Sequence, residues 1–165
     1  VITRACNNFG PFQFPEKLIP LFVTRLCQGL TVPLYGDGLH VRDWIHVDDH
    51  CAALLAVLER GHDGAVYNIG ADNERSNLAL TLLLLDVMGL DTCRIERVDD
   101  RPGHDRRCAV DASRLRAELA WQPTHSDWPR ALAATVAWYL DHQAWWRDDR
   151  GHLGEDAITR PSTPV

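Results

Sequence analysis

Lys17 stands alone as the one lysine in a chain with sixteen arginines. Two adjacent amides, Asn7 and Asn8, precede it, then a Gly10-Pro11 turn and the acid Glu16; an apolar run opens at Leu18. Amides, an acid and a base where a strand gives way to a helix are the groups with which open α/β sheets hold ligands. A solvated loop lysine has the same spacing. Arg42, ahead of Asp43-Trp44, has the chemistry of a bidentate phosphate clamp, and also that of a surface arginine whose stem packs on the indole. Arg101, His104, Arg106 and Arg107 surround a Pro102-Gly103 turn. They can collect an anion, or simply pair with Asp99, Asp100 and Asp105. Tyr35 can stack on a base or pack in a core.

The elements that must position these groups follow from period and punctuation. Val1-Ile2-Thr3-Arg4 reads as a short buried strand. A helix is expected from near Pro15, with Glu16 in its first turn and a stop at Gly29; Pro20 inside it calls for a kink or a later start. A strand over 31–35, a Gly36-Asp37-Gly38 turn and a returning strand over 41–47 come next. In the latter, Val41, Asp43, Ile45 and Val47 share one face, and Arg42, Trp44 and His46 the other. Asp48 or Asp49 is expected to cap a helix over 51–60 whose Leu54, Leu55, Val57 and Leu58 form core, with Gly61 as its stop. A buried strand over 64–70 leads to a polar loop over 71–76. Asn77 sits where an N-cap belongs, before a helix over 78–88. A strand over 94–98, the charged loop 99–107, a helix over 113–119 capped by Asp111, and a last helix from Ser126 or Asp127 complete the order. From residue 147 the composition predicts a mobile polar tail.

Length allows one domain with a real core: 165 residues, 45% of them hydrophobic. A net charge of −6 argues against nonspecific nucleic-acid binding. No apolar run reaches a membrane span, and no metal-ligand spacing stands out. The five cysteines form no CxxC pair and read as buried free thiols in a reducing cytoplasm. The chain does not open with Met and starts as if already inside a strand, so a fragment of a longer protein is expected.

Asn7 to Pro20, Arg42-Asp43-Trp44, Tyr67-Asn68-Ile69-Gly70 and Asp100-Arg101-Pro102-Gly103-His104-Asp105-Arg106-Arg107 together resemble the C-terminal part of the dTDP-glucose 4,6-dehydratases. These are extended short-chain dehydrogenase/reductase enzymes of the NAD-dependent epimerase/dehydratase family. The matches keep the family's order from about residue 1 to about residue 146. The resemblance implies an α/β chain: a partial Rossmann-type fold with a C-terminal substrate-binding lobe and the last strands and helices of the sheet, the cofactor half missing. It divides the chain into a nucleotide-sugar-binding portion, 1–146, and a tail, 147–165. It puts Asn7 near the NAD nicotinamide and Asn8, Lys17 and Leu18 along the nucleotide-sugar site, where a lysine suits a diphosphate. Pro33, Leu34 and Tyr35 would border the thymine, Arg42 the diphosphate, and Asn77 the substrate. Asp100, Arg101, Pro102, Gly103 and His104 would close over the nucleotide, His104 as a hydrogen-bond donor and not a general base.

The same resemblance draws attention to what the chain lacks. Its glycines make neither GxxGxxG nor GxGxxG, the turn that holds NAD. Its tyrosines, Tyr35, Tyr67 and Tyr139, are followed four residues on by Leu39, Ala71 and Gln143, so the family's Tyr–Lys proton-transfer pair does not occur in it. The function implied is therefore a dTDP-glucose 4,6-dehydratase whose dTDP-sugar binding lies here and whose catalytic groups do not, with NAD held mainly elsewhere and a homodimer only at full length. The alternatives are a non-catalytic nucleotide-sugar-binding fragment, or an epimerase or decarboxylase of the same superfamily. The isolated chain should expose a sheet edge and be inactive and poorly soluble.

Overall fold

The computed structural model describes residues 1–147, so the expected tail lies outside the described residues except for Arg147. The elements in chain order are strands β1 (Ile2–Ala5) and β2 (Asn7–Phe9), helix α1 (Leu18–Cys27), β3 (Val32–Tyr35), β4 (Val41–His46) and α2 (Val47–Arg60). Then come β5 (Val66–Ile69), β6 (Glu74–Ser76), α3 (Asn77–Val87), a 3₁₀ turn (Thr92–Arg94), β7 (Ile95–Val98) and β8 (Arg107–Cys108). Helices α4 (Ser113–Leu119), α5 (Trp128–Asp141) and α6 (Gln143–Trp146) finish the described chain.

Three small sheets organise it. β1 lies parallel to β5, β3 parallel to β7, and β4 pairs with β2, β6 and β8. In the third sheet β2 and β8 run parallel to β4 and β6 antiparallel. One core gathers α1, α3 and α5 around Phe9, Phe22, Trp44, Leu84, Leu132 and Tyr139. A second packs Ile45, Val57, Tyr67 and Ile69 against Leu115 and Trp121.

Several expectations shift for local reasons. Helix α1 begins at Leu18, which puts Pro20 in the first turn, where its missing N–H is not needed. Glu16 falls outside that helix and pairs with Lys17 at 2.6 Å. The 36–38 turn makes no hairpin. Gly36 and Gly38, at φ +53° and +73°, send the chain from one sheet to another, because β3 finds β7 and β4 finds β2. A polar loop was expected over 71–76, and β6 forms there because its Arg75 pairs across from Arg42. Asp43, Trp44, Ile45 and His46 are all buried, so β4 is covered on both faces. Asp43 Oδ1 accepts from Asn73 N at 2.8 Å, while its Oδ2 is buried without a hydrogen-bond partner.

The caps change too. Ser76 caps α3, accepting from Ala79 N at 3.1 Å, and Asn77 is its first residue. His46 caps α2 through Nδ1, freeing Asp49 for a different task. Buried against the 124–125 loop, Asp49 accepts from Thr124 N at 2.9 Å, Thr124 Oγ1 at 2.7 Å and His125 N at 3.0 Å. Gly61 ends α2 at an ordinary negative φ; a Cβ there would meet Val57 O at 2.4 Å.

Two segments expected in the core are exposed. β1 pairs on one side only, among the described residues, and Val1 and Ile2 face solvent. Helix α2 turns its small residues Ala53 and Ala56, with Val57, inward, which leaves Leu54, Leu55 and Leu58 outside, Leu58 by 80%. Of the five free thiols only Cys6 is fully buried; Cys51, Cys93 and Cys108 are exposed, because each falls on an outward-facing position. No described helix is long and apolar enough to cross a membrane.

Two outcomes follow. Asp49→Ala should cost about 2–3 kcal/mol in denaturant unfolding, since three donors lose their partner. Burial acts to raise the Asp49 pKa, but the bonds from Thr124 and His125 outweigh it and hold it below 3.8. The gap between wild type and variant is thus complete above pH 3.8 and closes as pH falls through the lowered pKa. The exposed leucines predict concentration-dependent self-association in sedimentation, reduced by Leu55→Glu with Leu58→Lys; an unchanged sedimentation profile would refute that cause.

Candidate functional site

The charged loop 99–107 stays close to the body of the protein because its charges are anchored away from one another. Arg106 reaches Asp37 at 2.8 Å, and Arg107 grips Glu74 of β6 with two bonds of 2.7 and 2.6 Å. Asp100, expected beside an arginine, instead takes two histidines. Its Oδ1 lies 2.7 Å from His104 Nδ1 and its Oδ2 3.1 Å from His40 Nε2. The two imidazoles stack, 3.7 Å between centroids and 13° between planes, with side chains only 5% and 4% exposed. His104 is thus paired with one of the three aspartates that the sequence offers it. His104 Nδ1 first, and the Arg101 N–H after it, hold the Asp100 carboxyl below its ordinary range against the opposing effect of burial.

His40 is the hub that sequence reasoning missed. Its carbonyl accepts from Asn77 N at 2.9 Å, which seats the start of α3 beside it. Asn77 is 7% exposed, and its Oδ1 is buried without a partner. Tyr35, at the end of β3, presents its ring edge to His104 at 6.4 Å, half in solvent. Arg42 donates from NH1 to Val41 O and Asp105 O, both at 2.8 Å, which brings its guanidinium beside the loop. Tyr35, Arg42, Asn77, Asp100 and His104 thus meet around one buried histidine. The signal in the sequence was faint: His40 is two residues before Arg42, the strand period. Arg101, Pro102 and Gly103 form the exposed outer turn of the same loop.

The remaining predicted residues lie elsewhere. Leu34 is buried, its side chain pressed so close to Gly38 that a Cβ there would meet it at 2.8 Å, and so it borders no open surface; Pro33 is half-buried beside it. Asn7 and Asn8 pair with Trp44 and Ile45, the far half of β4 from Arg42. Asn8 Oδ1 is 2.7 Å from Nδ1 of His50, a second histidine not singled out from sequence, and its Nδ2 donates to Cys6 O at 3.2 Å. Lys17 is exposed at the start of α1, held only by Glu16 among the described residues, and Leu18 leans on the first core.

The loop carrying Lys17 has its own anchor. Tyr139 of α5 donates its hydroxyl to Gln13 O at 2.6 Å and lies 3.4 Å from Gly10 O, and burial pushes its pKa up to about 12. Gln13 Nε2 in turn donates to Asn8 O at 2.9 Å. One buried phenol therefore fixes the path from Asn8 toward Lys17.

Two clusters, His40–Asp100–His104 and His46–Asp48–His125, bring three potential ligand atoms within 4.8 Å of one another. In both, the imidazoles are stacked nearly parallel, at 13° and 18°. Their lone pairs run side by side instead of converging on one point, as a metal would need. Hydrogen bonding to a shared acceptor suits the first cluster better. It presents an arginine and a histidine as donors and an aromatic ring, the groups that suit an anion joined to a flat ring, with the buried Asn77 Oδ1 as an acceptor nearby.

The NAD dependent epimerase/dehydratase family matches residues 1–70. A dTDP-glucose 4,6-dehydratase of Streptomyces griseus is 55% identical over 145 residues, 88% of this chain and 44% of that protein. A solved dTDP-glucose 4,6-dehydratase of Streptomyces venezuelae, with NAD and TYD bound, is 50% identical at a TM-score of 0.86, over 88% of this chain and 45% of that one. Another, from Bacillus anthracis in complex with NAD, is 46% identical at a TM-score of 0.83, over 87% of this chain and 45% of that one. The α/β arrangement is thus that of these solved enzymes, and the chain spans under half the length of the relatives it matches.

Replacing Tyr139 by Phe should remove the anchor and little else. The expected loss is about 1 kcal/mol of stability, with amide exchange raised selectively over residues 10–17; a uniform rise across the chain would refute the local role.

Proposed function

We propose that this chain forms the nucleotide-sugar-binding lobe of a dTDP-glucose 4,6-dehydratase, a lyase that turns dTDP-glucose into dTDP-4-keto-6-deoxyglucose and water. The observation that carries the reading is the meeting of Tyr35, Arg42, Asn77 and His104 around His40, with the buried Asn77 Oδ1 lacking a partner. A similarity of 46–55% to dehydratases supports it. In this reading Arg42 and Arg101 bind the diphosphate and Asn77 takes a polar atom of the ligand. Tyr35, with Pro33, borders the thymine, and Asp100 to His104 close over the nucleotide. Lys17, Leu18 and Asn8 line the approach from the other end of β4.

The residues present do not make a dinucleotide site by themselves. Asn7, half-buried on β2, is the single contact assigned, and no glycine turn in the chain offers backbone N–H groups to a pyrophosphate. NAD, when bound to the longer enzyme, supplies hydride removal at sugar C4 and its return at C6. The part of this chain is to hold the nucleotide end still, so that binding energy remote from the sugar orients it. The assembly proposed for the longer enzyme is a homodimer, and its compartment the cytoplasm, which suits five unpaired cysteines.

Calorimetric titration of the chain with dTDP and with UDP tests this directly. Preferential dTDP binding is expected, weakened about tenfold or more by Arg42→Ala through loss of a charged hydrogen bond. Equal binding of both nucleotides, or an unaffected Arg42→Ala, would overturn the assignment.

A further inference from the structure

We propose that His40 is a positioning residue for His104 and that, through Asp100, it ties anion binding at this site to the uptake of one proton by His104. This rests on the nucleotide reading above and adds which atom donates, and when.

The Asp100 carboxylate lies between the two rings, and the backbone N–H of Arg101 also donates to its Oδ1, at 2.9 Å. As an ionised carboxylate it only accepts. His104 Nδ1, hydrogen-bonded to it, must therefore carry a hydrogen, and so should His40 Nε2, which lies 3.1 Å from Oδ2 in poorer geometry. His104 is thereby fixed as the Nδ1–H tautomer. While neutral, it shows a lone pair at Nε2, which a phosphate oxygen avoids; only the imidazolium donates there.

The second proton has one place to go. His40 Nδ1 is buried with no partner, so protonation would seal a charged donor away from any acceptor. His104 Nε2 is not sealed in this way, and no hydrogen bond among the described residues occupies it. Stacking at 3.7 Å further opposes a charge on both rings at once. Of the other groups nearby, Asp37 favours the charge, its partner Arg106 opposes it, and Tyr35 offers only its ring edge. A bound anion thus draws a proton onto His104. Affinity should rise as pH falls, by no more than tenfold per pH unit for one proton taken up.

Two measurements on this chain test the inference. Imidazole nitrogen shifts of the free protein report the tautomer, and dTDP calorimetry from pH 6 to 8.5, in two buffers of different ionisation heat, counts protons. Wild type should show Nδ1–H at His104 and take up protons on binding within that pH range. His40→Phe keeps a stacked ring but removes the bond to Asp100; it should lose the fixed tautomer and flatten the pH profile. His104→Gln, whose amide donates at every pH, should bind with no proton uptake. An Nε2–H tautomer in wild type, a flat wild-type profile, or a uniform affinity loss in His40→Phe with an unchanged slope would each overturn it. Absence of dTDP binding would count against the nucleotide reading instead; the tautomer and its loss in His40→Phe would still carry the positioning of His104.

Discussion

The backbone of β4 has no water to turn to. Four consecutive residues, Asp43 to His46, are buried, and both faces of the strand are covered. Every N–H and C=O along it must then find a protein partner. β2 satisfies the end near His46, while β6 and β8 flank the end near Val41. That requirement draws together pieces of chain far apart in sequence: the Asn7-Asn8 segment, the start of α3, and the charged loop that precedes β8. The candidate site follows from it, because Arg42 and His40 sit where β6 and β8 converge.

Sequence reading succeeded where one residue's chemistry determines its surroundings. Helix α5 begins at the expected cap, Asp127 Oδ1 accepting from Arg130 N, because a helix start has few solutions. The run 99–107 stood out by charge density, and Arg42 by its place beside a tryptophan. Reading failed where the outcome depends on distant partners. β6 and β8 are too short to show a period, and exist because β4 needed neighbours. The exposed leucines of α2 obey a helical spacing as well as its buried alanines do; which face turns inward is a matter of how closely helix and sheet approach. His40 and Tyr139 are buried, and nothing in the sequence singled out the contacts that their polar atoms make.

Charge in this chain is distributed so that few groups are idle. Asp100 forgoes an arginine for two imidazoles, and Asp49 forgoes a capping role for a loop 75 residues away. Each choice releases something nearby: Arg101 is left without a side-chain partner among the described residues, and His46 takes over the cap of α2. Neutral alternatives would fold more cheaply. The cost is accepted where a loop must hold one position over a polar surface.

Tyr139 lies 126 residues beyond Gln13, whose carbonyl it holds. Contacts that span so much chain close slowly, since the entropy of the intervening loop must be overcome first. The segment that carries Lys17 is made well before α5, yet it can settle only after α5 has docked. β1 and β2 must likewise wait for β5 and β4, but those are made well before α5. A chain ending between β8 and α5 would therefore have its strands and lack its finished loop, so α5 times the completion of the segment around Lys17.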